Sequence, residues 1–255
     1  MGERNKSTKA TVLSIKKSGE NNRSVLFISP DEGLFYATLF GGPKSKLKSL
    51  IQNFYTGTLW LYEDEVKKTR KITDFDPSSS RMSFSSDIYK MMAANLAAEL
   101  VIKTKCAGEN EKAYILLNGF FDGLEASDYE EARLGTLRFL WRYISLLGIE
   151  RNVSECCECS KNLFTTEGDS LYTERHSGFI CPDCAKLYAR KESTLYLDRH
   201  ALVYLSAINT LRPVEVRKIA LPQNSAYKMK QFIYHIISTL DGIKLNTLDA
   251  AKGIL

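Results

Sequence analysis

A run of roughly 18 consecutive apolar residues, the minimum for a helix that crosses a membrane, occurs nowhere in the 255-residue chain. The opening MGERNKSTKA carries charge but no apolar stretch of the kind a secretory leader requires. Lys6 also stands where a myristoylation signal has Ser or Thr. The expectation is a soluble, intracellular protein with no membrane partner. Histidine is scarce as well: His176, His200 and His235 are the three in the chain, and none sits in a nucleophile or metalloprotease pattern. Phosphate-loop, dinucleotide-binding and nucleophile-elbow patterns are missing, so the chemistries they carry have no visible bearer. GGPKSK, residues 41–46, lacks the spacing of a phosphate loop. Acidic pairs such as Glu130/Glu131 and Asp122/Glu125 fall in polar helical contexts, which solvated faces explain. No enzymatic activity is expected.

What is present is concentrated. Five of the six cysteines lie within residues 156–184. Cys156 and Cys159 form one CxxC, Cys181 and Cys184 a second, and 21 residues separate them. A reducing compartment keeps thiols free, so paired CxxC clusters there hold metal more readily than disulfides. Two residues between ligands let a tight turn aim both sulfurs at one tetrahedral ion, and the longer loop can fold as a hairpin. The reading is one structural Zn2+ held by Cys156, Cys159, Cys181 and Cys184. Cys157 is left over, since a CxC pairing with Cys159 closes less easily, and His176 reads as surface. A thioredoxin-like redox pair is the competing reading of either CxxC, and it has no use for the second.

Charge is unevenly spread. Residues 1–81 hold 14 Lys and Arg against 9 Asp and Glu, residues 82–155 hold 8 against 11, and residues 156–255 hold 13 against 10. The basic third is also the strand-rich one. ATVLSIKKS, RSVLFIS, GLFYATLFG, TGTLWLYED and VKKTRKITDF are short, β-branched and aromatic, with turn signals between them. Five such strands suit a closed OB-type barrel, which removes exposed edges. DFDPSSSRMSFSSD, residues 74–87, has no apolar periodicity and reads as a linker. Beyond it the period becomes helical, as in Tyr89, Met92, Leu96 and Leu100, and again in Leu137, Leu140, Ile144 and Leu147. EKAYILLNGFFDGLE, LDRHALVYLSAINTL and SAYKMKQFIYHIISTL continue the pattern. The predicted fold is α+β and multidomain: an OB-type barrel over residues 1–80, then a helical domain (81–153 and 191–255) interrupted by a four-cysteine zinc module over 154–190.

FGGPKSKLKS, residues 40–49, places Lys44, Lys46 and Lys48 after two glycines. In an extended stretch, alternate residues point to one side, and a row of ammonium groups there suits phosphate contact. VKKTRKI adds Lys67, Lys68, Arg70 and Lys71. Two readings stand side by side: a nucleic-acid surface, or lysines that keep strands soluble and blunt sheet edges. Phe35, Tyr36, Phe40 and Tyr55 nearby could stack bases or fill the barrel.

In its order of features the chain resembles the bacterial RecO family of recombination mediators. The resemblance runs from ATVLSIKKSGENNRSVLFISPDEGLFYATLFGGPKSKLKSLIQNF through RYISLLGIERNVSECCEC to GFICPDC and the helices beyond. It implies an OB fold followed by a helical domain with a zinc module, and a non-catalytic function. Such a protein binds single- and double-stranded DNA, anneals complementary strands, acts with RecR, contacts the C-terminal tail of single-stranded DNA-binding protein, and indirectly helps load RecA. The implied location is the bacterial cytoplasm, at the nucleoid. Matching residues are Arg23 in the GENNR turn, Lys44, Lys46 and the four cysteines. Pro43 and the weakly basic tail IKLNTLDAAKGIL depart from the family pattern. A zinc-ribbon protein acting on RNA and a protein adaptor without nucleic-acid affinity are the alternatives. Product formation would mark the first, and salt-insensitive partner binding the second.

Overall fold

A computed structural model describes residues 5–41, 46–64, 66–187 and 195–255. The barrel strands are β1 (Asn5–Ser18), β2 (Asn22–Ser29), β3 (Gly33–Leu39), β4 (Thr56–Asp64) and β5 (Thr69–Ser79), with one helical turn, α1 (Leu47–Leu50), between β3 and β4. They close in the order β1–β2–β3–β5–β4. Every pairing is antiparallel except β3–β5, which meet in parallel at Thr38 and Lys71. Closure depends on β1, longer than its apolar pattern suggests. Residues 5–11 pair with β4, residues 11–18 pair with β2, and an irregularity between Val12 and Ser14 marks the change of partner. An extra residue in one strand bends it, which is how a strand serves two neighbours around a barrel. Alternate positions such as Val25, Phe27, Phe35, Ala37, Leu39, Leu59 and Leu61 point inward and fill the barrel.

The polar run 74–87 is not a linker. Its first half is the end of β5, where Pro77 pairs with Gly57 at an irregular register position. Proline is tolerated in a sheet at such a bulge. Gly57 is required there, because a Cβ would stand 2.1 Å from the Asp76 carbonyl oxygen. Its second half holds a 3-10 turn over Met82–Ser85, introduced by Arg81 in left-handed conformation (φ 41, ψ 56). Arg81 is buried. Its Nη1 donates to Thr56 Oγ1 (2.7 Å) and to the Phe54 carbonyl oxygen, and its Nη2 donates to Asn118 Oδ1 (3.0 Å) and Asp122 Oδ1 (2.8 Å).

The helices that follow are α2 (Ile88–Lys103), α3 (Asn110–Ala126) and α4 (Tyr129–Leu146). Next come β6 (Ser170–Thr173), β7 (Gly178–Ile180), α5 (Pro182–Leu187), β8 (Tyr196–Leu197), α6 (Arg199–Thr210), α7 (Pro213–Val216), α8 (Gln223–Ser238) and α9 (Asn246–Ala250). The fold is thus an N-terminal five-stranded barrel followed by a helical region that carries the clustered cysteines. Two compact units divide the chain: Met1–Ala132 with Leu245–Leu255, and Arg133–Lys244. The expected boundary near residue 80 falls inside the first.

In the first unit α2 is buried on nearly every side, through Ala93, Ala94, Leu96, Ala97, Ala98 and Leu100, and α3 packs against β2 and β3. Glu99 accepts hydrogen bonds from the Asn246 and Thr247 amides (2.9 and 2.8 Å) and so caps α9. Within the second unit, α4, α6 and α8 enclose Trp141, whose Nε1 donates to the Leu205 carbonyl (3.0 Å) and whose ring lies 5.8 Å from Phe232. Among the described residues no helix is long and apolar enough to cross a membrane.

Candidate metal centre and basic groove

The two CxxC pairs meet. The sulfurs of Cys156, Cys159, Cys181 and Cys184 all lie within 4.8 Å of one another. Local backbone explains how. The first pair sits in a tight turn closed by Ser160 N–H to the Cys156 carbonyl and by Cys156 N–H to the Lys161 carbonyl, both 2.9 Å, with Ser160 left-handed (φ 57). The second pair bridges the end of β7 and the first turn of α5, closed by Ala185 N–H to the Cys181 carbonyl (2.9 Å). Cys181 N–H donates to Cys156 Sγ (3.3 Å), tying one pair to the other.

The donor set fits a tetrahedral zinc. A Zn–S distance of about 2.3 Å implies sulfurs roughly 3.8 Å apart, and Cys159 Sγ and Cys181 Sγ are 3.8 Å apart. Burial alone would raise the Cys156 thiol, but amide hydrogen bonds from Cys181, Cys159 and Glu158 outweigh it and lower its pKa to about 7. Burial and the three other sulfurs raise Cys184. Four thiols sharing one cage cannot all ionise together until a cation enters it. Cys157 lies outside the cluster and uses its amide to bond the Phe179 carbonyl (2.9 Å). His176 Nε2 faces Glu158 Oε1 at 2.9 Å.

The basic residues singled out from sequence do not form one surface. Lys44 lies outside the described residues. Lys46 is in right-handed helical conformation and Lys48 lies in α1, so this part of the stretch is not an extended row. The local reason is the turn of helix that bridges β3 and β4. Arg70 pairs with Glu32 Oε2 (2.6 Å) and Glu63 Oε1 (2.8 Å), and stands over the Phe35 ring at 4.9 Å. Burial raises the Glu32 carboxyl, yet Lys6 and Arg70 beside it offset that and hold it below its ordinary value. Arg70 is therefore committed to closing one end of the barrel. Lys71 Nζ sits over the exposed Phe40 ring at 5.5 Å, and Lys67 and Lys68 are exposed in the β4–β5 turn. Of the aromatics, Phe35 is inside the barrel, Tyr36 and Phe40 are exposed, and Tyr55 is half-buried.

Arg23 and Lys48 do converge, in a groove of about 820 Å³ at the barrel. It lies between the β1–β2 turn, the α1–β4 segment and the start of α2. Among the described residues that line it, Lys17, Arg23 and Lys48 form its cationic rim, Glu20 is the single carboxylate, and Tyr55, Met82 and Met91 supply apolar surface. Lys17 escaped the sequence reading. Its signal is cross-strand register: Lys17 is the direct partner of Arg23 across β1–β2, a relation visible only once the hairpin's pairing is known. Asp122 and Glu125 differ from the solvated pair expected, since Asp122 receives Arg81 and Glu125 accepts the Ser83 amide (3.2 Å).

By fold and site this is a protein with a small closed barrel followed by helices that carry a four-thiol cluster able to hold a metal ion. The model of the family described as "Recombination protein O C terminal" matches residues 85–249. "DNA repair protein RecO" of Streptococcus thermophilus (strain ATCC BAA-491 / LMD-9) is 23% identical over 248 residues, covering 94% of this chain and 90% of its own. The protein of the same name from Lactococcus lactis subsp. lactis (strain IL1403) is 26% identical over 258 residues, covering 98% and 97%. That from Dehalococcoides mccartyi (strain ATCC BAA-2266 / KCTC 15142 / 195) is 24% identical over 180 residues, covering 69% of each. The chain belongs to the RecO family, whose members act in DNA repair and recombination.

Proposed function

We propose that this protein is a non-catalytic mediator of DNA recombination: it binds single- and double-stranded DNA, anneals complementary strands, and works with a RecR partner to help RecA load onto DNA coated with single-strand binding protein, whose C-terminal tail it contacts. The observation that carries this reading is the group of cations at the barrel groove, Lys17, Arg23 and Lys48, without ion-pair partners among the described residues, in a chain of a DNA-repair family. Neutralising phosphates lets two strands approach, and base pairing supplies the driving force, so annealing needs no bond chemistry. Lys44, Lys46, Lys67, Lys68 and Lys71 are the further cations that this reading assigns to DNA by their charge, while Arg70 contributes least because Glu32 and Glu63 already balance it. In this reading residues 1–80 form the DNA-binding domain, 154–190 the zinc module, and 81–153 with 191–255 the helical domain that receives partners. A zinc ion with four thiolate ligands keeps no position open for water or substrate, so its contribution is structural. The location is the cytoplasm, at the nucleoid.

The test is annealing of two complementary oligonucleotides at low salt, followed by strand-pairing fluorescence. The expected result is faster annealing with the protein than without it, and slower annealing as salt rises. Protein that neither retards single-stranded oligonucleotides on a gel nor speeds their annealing contradicts the reading.

A further inference from the structure

The two tryptophans of the chain stand in opposite settings. Trp141 is fully buried, whereas Trp60, in the middle of β4, is 38% exposed on the outside of the barrel. Cross-strand register builds the surface around it. Trp60 lies between Ser7 of β1 and Asp74 of β5, and on the next outward row Thr58 lies between Lys9 and Asp76. Leu59 and Phe75, paired with each other between these rows, are buried in the barrel, so Thr58, Trp60, Asp74 and Asp76 face out together. The register slips between Trp60 and Leu61, where Thr73 has no partner on β4. An extra residue of this kind re-aims the side chains beside it.

This wall is acidic on a basic domain. Asp74 uses one carboxylate oxygen on the Phe75 amide (2.8 Å). Neither Asp74 nor Asp76 has an ion-pair partner among the described residues, and the Trp60 ring meets no other ring or cation there. Lys9 stands two strands away from Asp76, beyond Thr58, and Lys71, further along β5, turns its ammonium onto Phe40 (5.5 Å). Charge on a strand keeps a sheet soluble, but an indole left in water beside it does the opposite. None of the three residues Trp60, Asp74 and Asp76 lines the cationic groove.

An aromatic face flanked by two carboxylates repels phosphate and fits a planar cation. Guanidinium groups stack on indole and bond carboxylates through paired N–H donors. Asp74 and Asp76 are two residues apart on one face, about 7 Å along the strand, which is also the spacing of alternate side chains in an extended segment. We propose that this wall of the barrel, Trp60 with Asp74 and Asp76, is a docking surface for a protein partner that presents arginines at alternate positions of an extended segment. The proposal goes beyond the function above, which gives partners to the helical domain and DNA to the barrel.

The experiment measures fluorescence anisotropy of a labelled, capped heptapeptide of alternating glycine and arginine, of its lysine counterpart, and of a labelled oligothymidylate, against three forms of the full metal-loaded chain at low salt. The forms are wild type, Trp60→Ala and Asp74→Asn/Asp76→Asn, each checked for an unchanged melting profile. The arginine peptide should bind wild type at least about fivefold more tightly than the lysine peptide, which offers no plane to stack. Each variant should weaken the arginine peptide at least about fivefold, with oligothymidylate binding no weaker than in wild type. Wild type that fails to bind the arginine peptide, or binds it as both variants do, overturns the docking surface. Equal affinity for the two peptides overturns the stacked guanidinium. Loss of oligothymidylate binding in Trp60→Ala hands the wall to nucleic acid and overturns the proposal as well. Arginine-peptide binding with the expected losses, in a wild type that does not bind oligothymidylate, upholds the wall and contradicts the mediator reading instead.

Discussion

The barrel and the cysteine module face the same problem and solve it differently. Both are small β-structures with too little interior to hold short strands alone. The barrel's five strands close on themselves, remove their edges and surround an apolar core that includes Phe27, Phe35, Leu59 and Phe75. The module has three strands, β7–β6–β8, of three, four and two residues. What secures them is the four-sulfur cage at one end and α8 beneath: Phe232 lies 5.1 Å from Tyr172 and 4.9 Å from Phe179, ring to ring. Lys228 adds a bridge, reaching Asp169 (2.5 Å) and Asp198 (3.4 Å). Closure leaves the outside of the barrel free to carry charge, whereas the cage uses its own chemistry to stay folded. The proposed function follows that division, with DNA assigned to the self-sufficient barrel and a metal ion to the cluster where the chain cannot pack unaided.

Metal removal should break the comparison open most forcefully. Structural zinc contributes on the order of 10 kcal/mol in zinc-finger peptides, more than any one packing contact here. Chelation, or Cys181→Ser, is expected to abolish protection of amides in the module and α8 while leaving β1–β5 protected, as read by hydrogen exchange. Next in size is Phe232→Ala. Loss of a buried aromatic at this junction should cost about 3–5 kcal/mol in thermal or denaturant unfolding, and should lower metal affinity as well. On the barrel side the corresponding lesion is Arg81→Ala, expected to cost about 2–3 kcal/mol because the Phe54 carbonyl loses its buried charged donor. Chelation and Arg81→Ala should act on different units, and their effects should add.

The smallest effect expected is that of Asp198→Ala, about 1 kcal/mol, since Asp198 caps α6 by accepting the Ala201 amide (3.0 Å). Burial raises the Asp198 carboxyl, but the Ala201 amide, Ser225 and Lys228 prevail and its pKa lies below the ordinary value. A depressed folded pKa means that the stabilisation is full above the unfolded value of about 3.9 and disappears as pH falls through the folded one. Wild type and Asp198→Ala should accordingly differ at pH 7 and converge in strong acid, as urea midpoints across pH would record.

Much of this organisation is legible in sequence because it rests on local signals. Alternating apolar residues announce the strands, the 3.6 period announces α2, α3, α6 and α8, and the CxxC spacing announces the cage. The polar run 74–87 misleads because serine, aspartate and proline are ordinary loop composition. The reason it is structured, a buried Arg81 bonded to Thr56, Phe54, Asn118 and Asp122, comes from partners far away in the chain. A lone arginine among serines is the faint trace it leaves. The groove is illegible for a similar cause. Its rim needs the β1–β2 register that sets Lys17 against Arg23, and its floor needs the approach of Met82, Met91 and Asn95 from beyond the barrel. Composition overcounts the cations too, since Arg70 looks as free as Lys48 until Glu32 and Glu63 are placed beside it.

Hydrogen exchange of the whole metal-loaded chain, with and without a single-stranded oligonucleotide, tests the division of labour most directly. The oligonucleotide should slow exchange in peptides spanning residues 15–24, 48–55 and 80–95, which line the groove, and leave peptides spanning the cysteine module, residues 156–184, unchanged. Protection confined to the module, with the barrel peptides unaffected, would contradict the account.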